Sequence, residues 1–318
     1  MLPGLHHVTA IASDPQANID FCTGFLGLRL VKKTVNFDDP GTYHLYYGDE
    51  TGKPGTILTF FPWPGARRGR RGAGEITLIS FAVPSGSLSF WMERCRAYGI
   101  PFDGPHARFD EEGLVISDPD GSQMELVADA GVDGTPAWPD SPVPAAHAIR
   151  KFHSVTLSIE GYALTAELLT GTLGFAPVRE SGNRFRFAEG DGGTGAIVDL
   201  LCVPAMPRGV QGAGTVHHVA WRTPDSDSQK IWREKLADAG LNVTPVIDRQ
   251  YFHSIYFREP GGVLFEIAID PPGFMIDESV QELGHSLKLP PWLEAARASL
   301  EQFLPPLRLR QTAAGKRG

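Results

Sequence analysis

Gly214-Thr215-Val216-His217-His218-Val219-Ala220-Trp221 repeats, near the far end of the chain, what Gly4-Leu5-His6-His7-Val8-Thr9-Ala10-Ile11 says at its start. Between them lie two more copies without the double histidine, Gly74-Glu75-Ile76-Thr77-Leu78-Ile79-Ser80-Phe81 and Lys151-Phe152-His153-Ser154-Val155-Thr156-Leu157-Ser158. Each is an apolar, β-branched run of strand type. Each is followed by a turn and then a helical pattern. The first helix opens at Ser13-Asp14-Pro15, a capping residue with proline in the first turn, and stops near Gly27. The others are expected from about Ser85 to Tyr98, Gly161 to Thr172 and Asp225 to Ala239, each closed by a glycine.

Several short extended stretches follow each helix, and the last of them match again. They begin at Gly55, Gly121, Gly195 and Gly262 and read on through Thr59, Glu125, Asp199 and Glu266. The unit is therefore strand, helix and about three strands, repeated four times. This βαβββ order predicts an α+β fold of four modules, not the strict βα alternation of a parallel barrel. Two modules make an N-terminal half, residues 1–135, and two make a C-terminal half, residues 145–270. The proline-rich stretch Pro136–Pro144 links them. Residues 271–318 read as a C-terminal extension with one amphipathic helix near Trp292–Phe303.

Composition removes whole classes of function. The chain has 318 residues with 29 Lys+Arg against 37 Asp+Glu, a formal charge of −8. A nucleic-acid binder needs a basic face, and this balance argues against that class. Hydrophobic residues at 42% fit an ordinary globular chain and exclude extensive disorder. No apolar run approaches the roughly 18 residues of a membrane span. Three scattered cysteines without a CxxC argue against a disulfide framework or a cysteine-based zinc site. The N-terminus has no basic segment and no long apolar stretch of a signal peptide. The expected location is cytoplasmic; a homo-oligomer stays open.

Four βαβββ units in two halves resemble the vicinal oxygen chelate superfamily, the glyoxalase and extradiol dioxygenase group. Two further segments carry the likeness: Tyr43-His44-Leu45-Tyr46-Tyr47, and the long run from Asp248-Arg249-Gln250-Tyr251-Phe252-His253-Ser254-Ile255-Tyr256 to Glu259-Pro260-Gly261-Gly262-Val263-Leu264-Phe265-Glu266. Together with the two His-His segments they are similar to ring-cleaving dioxygenases that open hydroquinones. The likeness covers roughly residues 4–285. In that superfamily modules pair into cups, and a metal sits where the strands of a cup face each other.

Aligned on the repeat, strand one carries His7, Leu78, Ser154 and His218, and the last strand carries Thr59, Glu125, Asp199 and Glu266. Side chains alternate between the faces of a strand, so equivalent positions point toward equivalent cups. Pairing modules one and four assembles His7, His218 and Glu266. Pairing two and three assembles Leu78, Glu125, Ser154 and Asp199, which contains no imidazole. Two histidines and a carboxylate leave open positions on an octahedral ion and suit non-haem Fe(II). The same donors also hold catalytic zinc. The resemblance favours Fe(II), with Mn(II) as the alternative. Glu266 lies between Phe265 and Ile267, and an ionised carboxylate on an inward face demands a cation or strong partners. Glu125 has the same context without a histidine, and is read as a partner for a backbone or basic group.

The neighbours His6 and His217 point away from the cup by strict alternation, unless a bulge re-aims them. The resemblance implies that the first histidine of each pair assists proton transfer, His217 ahead of His6. It places Tyr256 near a substrate oxygen, and Arg249 as a guanidinium able to hold an anion; a plain salt bridge is the alternative for Arg249. His253 departs from close relatives and puts substrate preference in question. His44 is read as a packed strand residue. The loop Arg67-Arg68-Gly69-Arg70-Arg71 is read as solvated, or as touching an anion or the other half. His106, His147, His153 and His285 have no partner set.

The resemblance implies an Fe(II)-dependent, extradiol-type dioxygenase that takes a small dihydroxy-aromatic substrate and O₂ and yields an open-chain acid. Two alternatives differ in class. A glyoxalase-like isomerase or lyase would want a second carboxylate where Thr59 stands. A metal-free aromatic-binding protein would not need His7, His218 and Glu266.

Overall fold

The structure, a computed structural model, describes residues 2–190 and 192–309. All four modules are present. Module one comprises β1 (Leu5–Ala12), α1 (Pro15–Ile19), β2 (Arg29–Asn36), β3 (Asp39–Gly48) and β4 (Ile57–Pro62). Module two comprises β5 (Glu75–Val83), α2 (Leu88–Tyr98), β6 (Phe102–Arg108), β7 (Glu111–Ser117) and β8 (Gln123–Ala128). Module three has β9 (Lys151–Ile159), α3 (Ala163–Glu167), β10 (Ala176–Ser181), β11 (Arg184–Ala188) and β12 (Ile197–Cys202). Module four has β13 (Val216–Thr223), α4 (Ser226–Asp238), β14 (Ile247–Asp248), β15 (His253–Arg258) and β16 (Leu264–Ile269).

Local chemistry sets the helix ends. The Asp14 side chain accepts from the amides of Gln16 and Ala17, with Pro15 in the first turn. Asp225 caps α4 in the same way, through the amide of Ser228. Gly99 closes α2 in the left-handed region, φ +67°, which a side chain resists. The helices of modules one and three differ from the expected plain α-helix. Each widens into a π-helical turn, Asp20–Phe25 and Leu168–Leu173.

Among the described residues, sixteen strands form two eight-stranded sheets, ordered β14-β15-β16-β13-β1-β4-β3-β2 and β10-β11-β12-β9-β5-β8-β7-β6. Modules one and four share the first, joined by antiparallel β1 and β13. Modules two and three share the second, joined by antiparallel β5 and β9. Each sheet thus takes one module from each half of the sequence. Every residue of β1 is buried. Its Val8, Ala10 and Ala12 belong to the apolar core that also holds Phe25, Trp91 and Leu169 of the helical segments. The alternate face, with His7 and Thr9, looks into the cup.

The two linkers between modules cross side by side. Arg68 bridges Ala213, Arg70 bridges Val210, and Ala73 bridges Arg208. The arginine loop therefore lies against the other half, while Arg71 donates to the Gly121 carbonyl of its own half at 2.6 Å. The approach is close: a Cβ on Gly72 would stand 2.2 Å from the Pro207 carbonyl oxygen.

The C-terminal extension straps the first sheet. Lys32, fully buried, donates to Asp277 and Glu278, both at 2.5 Å. The helix expected over Trp292–Phe303 divides into a 3₁₀ segment, Pro291–Ala296, and α5 (Arg297–Phe303). Pro290 and Pro291 supply no amide hydrogens at its start, where a tighter turn is common. Residues 310–318 of the extension lie outside the described residues. No described helix is long and apolar enough to cross a membrane.

Candidate metal centre

The strand pairing brings three remote side chains to one point. His7 Nε2 and His218 Nε2 are 3.2 Å apart. Glu266 Oε2 lies 3.3 Å from the first and 3.0 Å from the second. Among the described residues this is the group of histidine, cysteine and acidic side chains placed to share an ion. All three are buried, Glu266 completely. Its Oε1 accepts from the Ser254 hydroxyl, while Oε2 receives no aligned hydrogen bond. Burial works to raise the pKa of Glu266, but attraction to His7 and His218 outweighs it and holds the carboxyl well below its ordinary range. Burial pulls His218 down.

A divalent cation fits these donors. Two ligands about 2.1 Å from one ion, at right angles to each other, stand about 3.0 Å apart, close to the observed triangle. An imidazole nitrogen is a ligand only when it carries no proton. Each Nδ1 is placed to carry the ring proton instead. His7 Nδ1 is 2.9 Å from His6 Nδ1, and His218 Nδ1 is 2.7 Å from His217 Nδ1. Such outer partners fix the tautomer and orientation of a ligand imidazole.

Both neighbouring histidines sit on bulges. The register of β1 against β13 slips between Leu5 and His7, at His6, and again between His218 and Val216, at His217. The bulges let each pair turn its two rings toward one another, nearly perpendicular. The outcomes differ. His6 is buried behind His7 and against Phe252. His217 borders the cleft that His7 and His218 line. Burial, reinforced by His218, brings the His217 imidazole down to about 3, so it is neutral at physiological pH.

That cleft has a volume of about 230 Å³. This is room for a one-ring molecule, below the roughly 300–1,000 Å³ of drug-sized sites. Phe61, Trp63, Phe37 and Phe252 supply apolar walls, and Tyr256, Arg249 and His44 supply polar ones. Tyr256, in β15, pairs directly with Glu266 in β16. Burial, and the nearby Glu266 carboxylate, push its phenol far above its ordinary pKa, so it stays protonated. Arg249 Nε donates to Tyr256 Oη at 3.1 Å, and its Nη1 donates to Asp38 at 2.8 Å. The salt bridge that is the alternative for Arg249, to Asp248 or elsewhere, is made with Asp38 in the β2–β3 turn of module one.

His253 is not among the residues that line the cleft. It is partly exposed, with Nε2 3.9 Å from Asp248. His44, read from sequence as a packed strand residue, borders the cleft. Its Nε2 lies 2.5 Å from Thr59 Oγ1 and its Nδ1 2.8 Å from Tyr46 Oη. Thr9 Oγ1 lies 2.9 Å from His218 Nε2. Sequence reasoning missed Thr9, Tyr46, Asp38 and Phe252. The first was within reach, since Thr9 shares the face of His7.

The second cup is built from arginines. Arg108 grips Glu125 with two bonds, at 2.8 and 2.6 Å, and Ser80 adds a third at 2.6 Å. Arg186 Nε and Arg184 Nη1 meet Asp199 at 2.7 and 3.0 Å. Glu111 bonds Arg186 at 2.7 Å and His153 at 3.2 Å. Guanidinium cations satisfy the carboxylates there.

Residues 4–126 and 151–267 match the family description "Glyoxalase/Bleomycin resistance protein/Dioxygenase superfamily". The chain belongs to this superfamily. Among its relatives is MhqO of Bacillus subtilis (strain 168), provisionally named a ring-cleaving dioxygenase. It is 47% identical over 97% of this chain and 97% of its own length. The chlorohydroquinone/hydroquinone 1,2-dioxygenase of Sphingobium indicum is 37% identical over 93% of this chain and 94% of its own. A crystal structure of a provisionally named dioxygenase from Bacillus subtilis subsp. subtilis str. 168 superposes with a TM-score of 0.92. It is 46% identical and covers 97% of this chain and 98% of that one. The two eight-stranded sheets are the superfamily's vicinal oxygen chelate fold.

Proposed function

We propose that the chain is a ring-cleaving dioxygenase of the extradiol type. It opens a hydroquinone-type ring with O₂ and yields an open-chain acid. The observation that carries this reading is the convergence of His7, His218 and Glu266, two of which, His7 and His218, line a one-ring cleft. The names of the relatives support the substrate class.

His7, His218 and Glu266 would hold the metal, Fe(II) with Mn(II) as the alternative. When bound, it supplies a Lewis acid toward a phenol and open positions where phenol and O₂ meet. The remaining steps belong to the chain. With His218 Nε2 free for the cation, its proton rests on Nδ1 and is donated to His217 Nδ1. The proton of neutral His217 then rests on Nε2. His217 can donate that hydrogen to an anionic oxygen in the cleft. Tyr256, held protonated, donates to the same region, and the Arg249 guanidinium fixes its oxygen. His6 fills a different role from His217: it holds His7 from behind and borders no part of the cleft. A para-dihydroxy ring sends only one hydroxyl to the metal. Asp38 and Arg249, at the mouth, are placed for the distant one.

The test is anaerobic purification, metal analysis and O₂ uptake with hydroquinone, methylhydroquinone, chlorohydroquinone and catechol. The expected outcome is Fe(II)-dependent uptake with a hydroquinone. Uptake with none of the four would end this reading.

A further inference from the structure

The first cup has an internal pseudo-symmetry that makes His44 conspicuous. In module four, Glu266 is flanked by Ala220 on β13 and Tyr256 on β15. In module one, Thr59 is flanked by Thr9 on β1 and Tyr46 on β3. Thr59 is thus the counterpart of Glu266, and Tyr46 of Tyr256. Two residues before each tyrosine, on the same strand face, stand His44 and Ser254.

The two do opposite things. Ser254 is small; it leaves room for a carboxylate and donates to Glu266 Oε1. His44 puts an imidazole in the corresponding place, 2.5 Å from Thr59 Oγ1. The ring is fixed there by Tyr46 Oη on its Nδ1 and by packing against Tyr46 and Phe61, centroids 4.0 and 4.3 Å away. His44 is itself outside the group of donors that converge on a common ion. The counterpart of Glu266 is therefore a neutral hydroxyl with an imidazole against it, a ring that a longer acidic side chain would have to displace.

We propose that His44 is a positioning residue that, acting through Thr59, keeps the metal centre at three protein donors. This rests on the assignment of His7, His218 and Glu266 as the donors. The consequence is electrostatic. A divalent ion with one carboxylate keeps one net positive charge for an anionic phenolate, and a second carboxylate would cancel it. His44 and Thr59 thereby select an open, cationic site over a closed, neutral one.

The test reads Mn(II) affinity by chelator competition, beside kcat and KM for hydroquinone. The proteins are wild type, Thr59→Glu, and Thr59→Glu combined with His44→Ser. The double variant, which copies the module-four arrangement, is expected to bind Mn(II) about tenfold tighter or more and to lose ring cleavage. Thr59→Glu alone is expected to gain no affinity, because His44 obstructs the new carboxylate. An equal gain from Thr59→Glu alone would overturn the proposal, as would no gain in a double variant that unfolds at the wild-type temperature. Where that variant does not fold, Thr59→Asp with His44→Ser carries the same comparison. Glu266→Ala separates the two readings. Loss of Mn(II) there upholds the triad, so a failed gain counts against His44 alone.

Discussion

At the scale of the residue, position within the repeat decides consequence. His218 and Ser154 occupy the same place in their modules, but only His218 meets a carboxylate and a second imidazole. His218→Ala is expected to lose the metal and the activity while circular dichroism stays native. Ser154→Ala should leave metal content unchanged. His217→Ala divides two roles. As a proton-handling group it should lower kcat about 10²–10⁴-fold at unchanged metal content. Were it only a support for His218, metal affinity would fall about 10–100-fold instead. The triad was legible because equivalent positions in a repeated strand face equivalent cups, so a histidine at residues 7 and 218 had one meaning. His44 was not legible by that logic. Its counterparts are Gly113, Arg184 and Ser254, placed by their strands' pairing with Glu125, Asp199 and Glu266. A residue type that never recurs carries no repeat signal, and its role emerges only when Thr59 is seen beside it.

At the scale of the element, strands and helix boundaries followed from patterning and caps, whereas departures from regular geometry did not. Apolar runs marked β1, β5, β9 and β13, and glycines marked the ends of α2 and α4. Nothing in a helical period announces the π-turns at Asp20–Phe25 and Leu168–Leu173. Alternation also gave no sign of whether His6 or His217 would reach the cleft, because both bulges are set by pairing between β1 and β13. The second sheet shows what its strands do without a facing pair of histidines. Arg184 and Arg186 on β11 neutralise Asp199 on β12, and Asp199 is fully buried. Removing one partner of a buried pair leaves the other uncompensated. Asp199→Ala is therefore expected to lower stability by on the order of 3–5 kcal/mol in urea unfolding. Mn(II) affinity should not change, since the first cup keeps every donor.

At the scale of the whole molecule, the centre exists only because the chain closes on itself. His7 lies in the first module, and His218 and Glu266 lie in the fourth, so the donor set spans the proline-rich linker. Each sheet is likewise completed across it, through β1 with β13 and β5 with β9. A fragment of residues 1–140 would expose β1 and β5 as open edges, with unpaired amides and carbonyls. A fragment of residues 141–318 would expose β9 and β13. Neither holds more than two of the three donors. Expressed apart, both fragments are expected to bind Mn(II) weakly and to aggregate. Expressed together, they should recover tight binding at one ion per fragment pair, measured by chelator competition after co-purification. Tight binding by the 141–318 fragment alone would place the third donor outside module one and break the link between fold closure and metal capture.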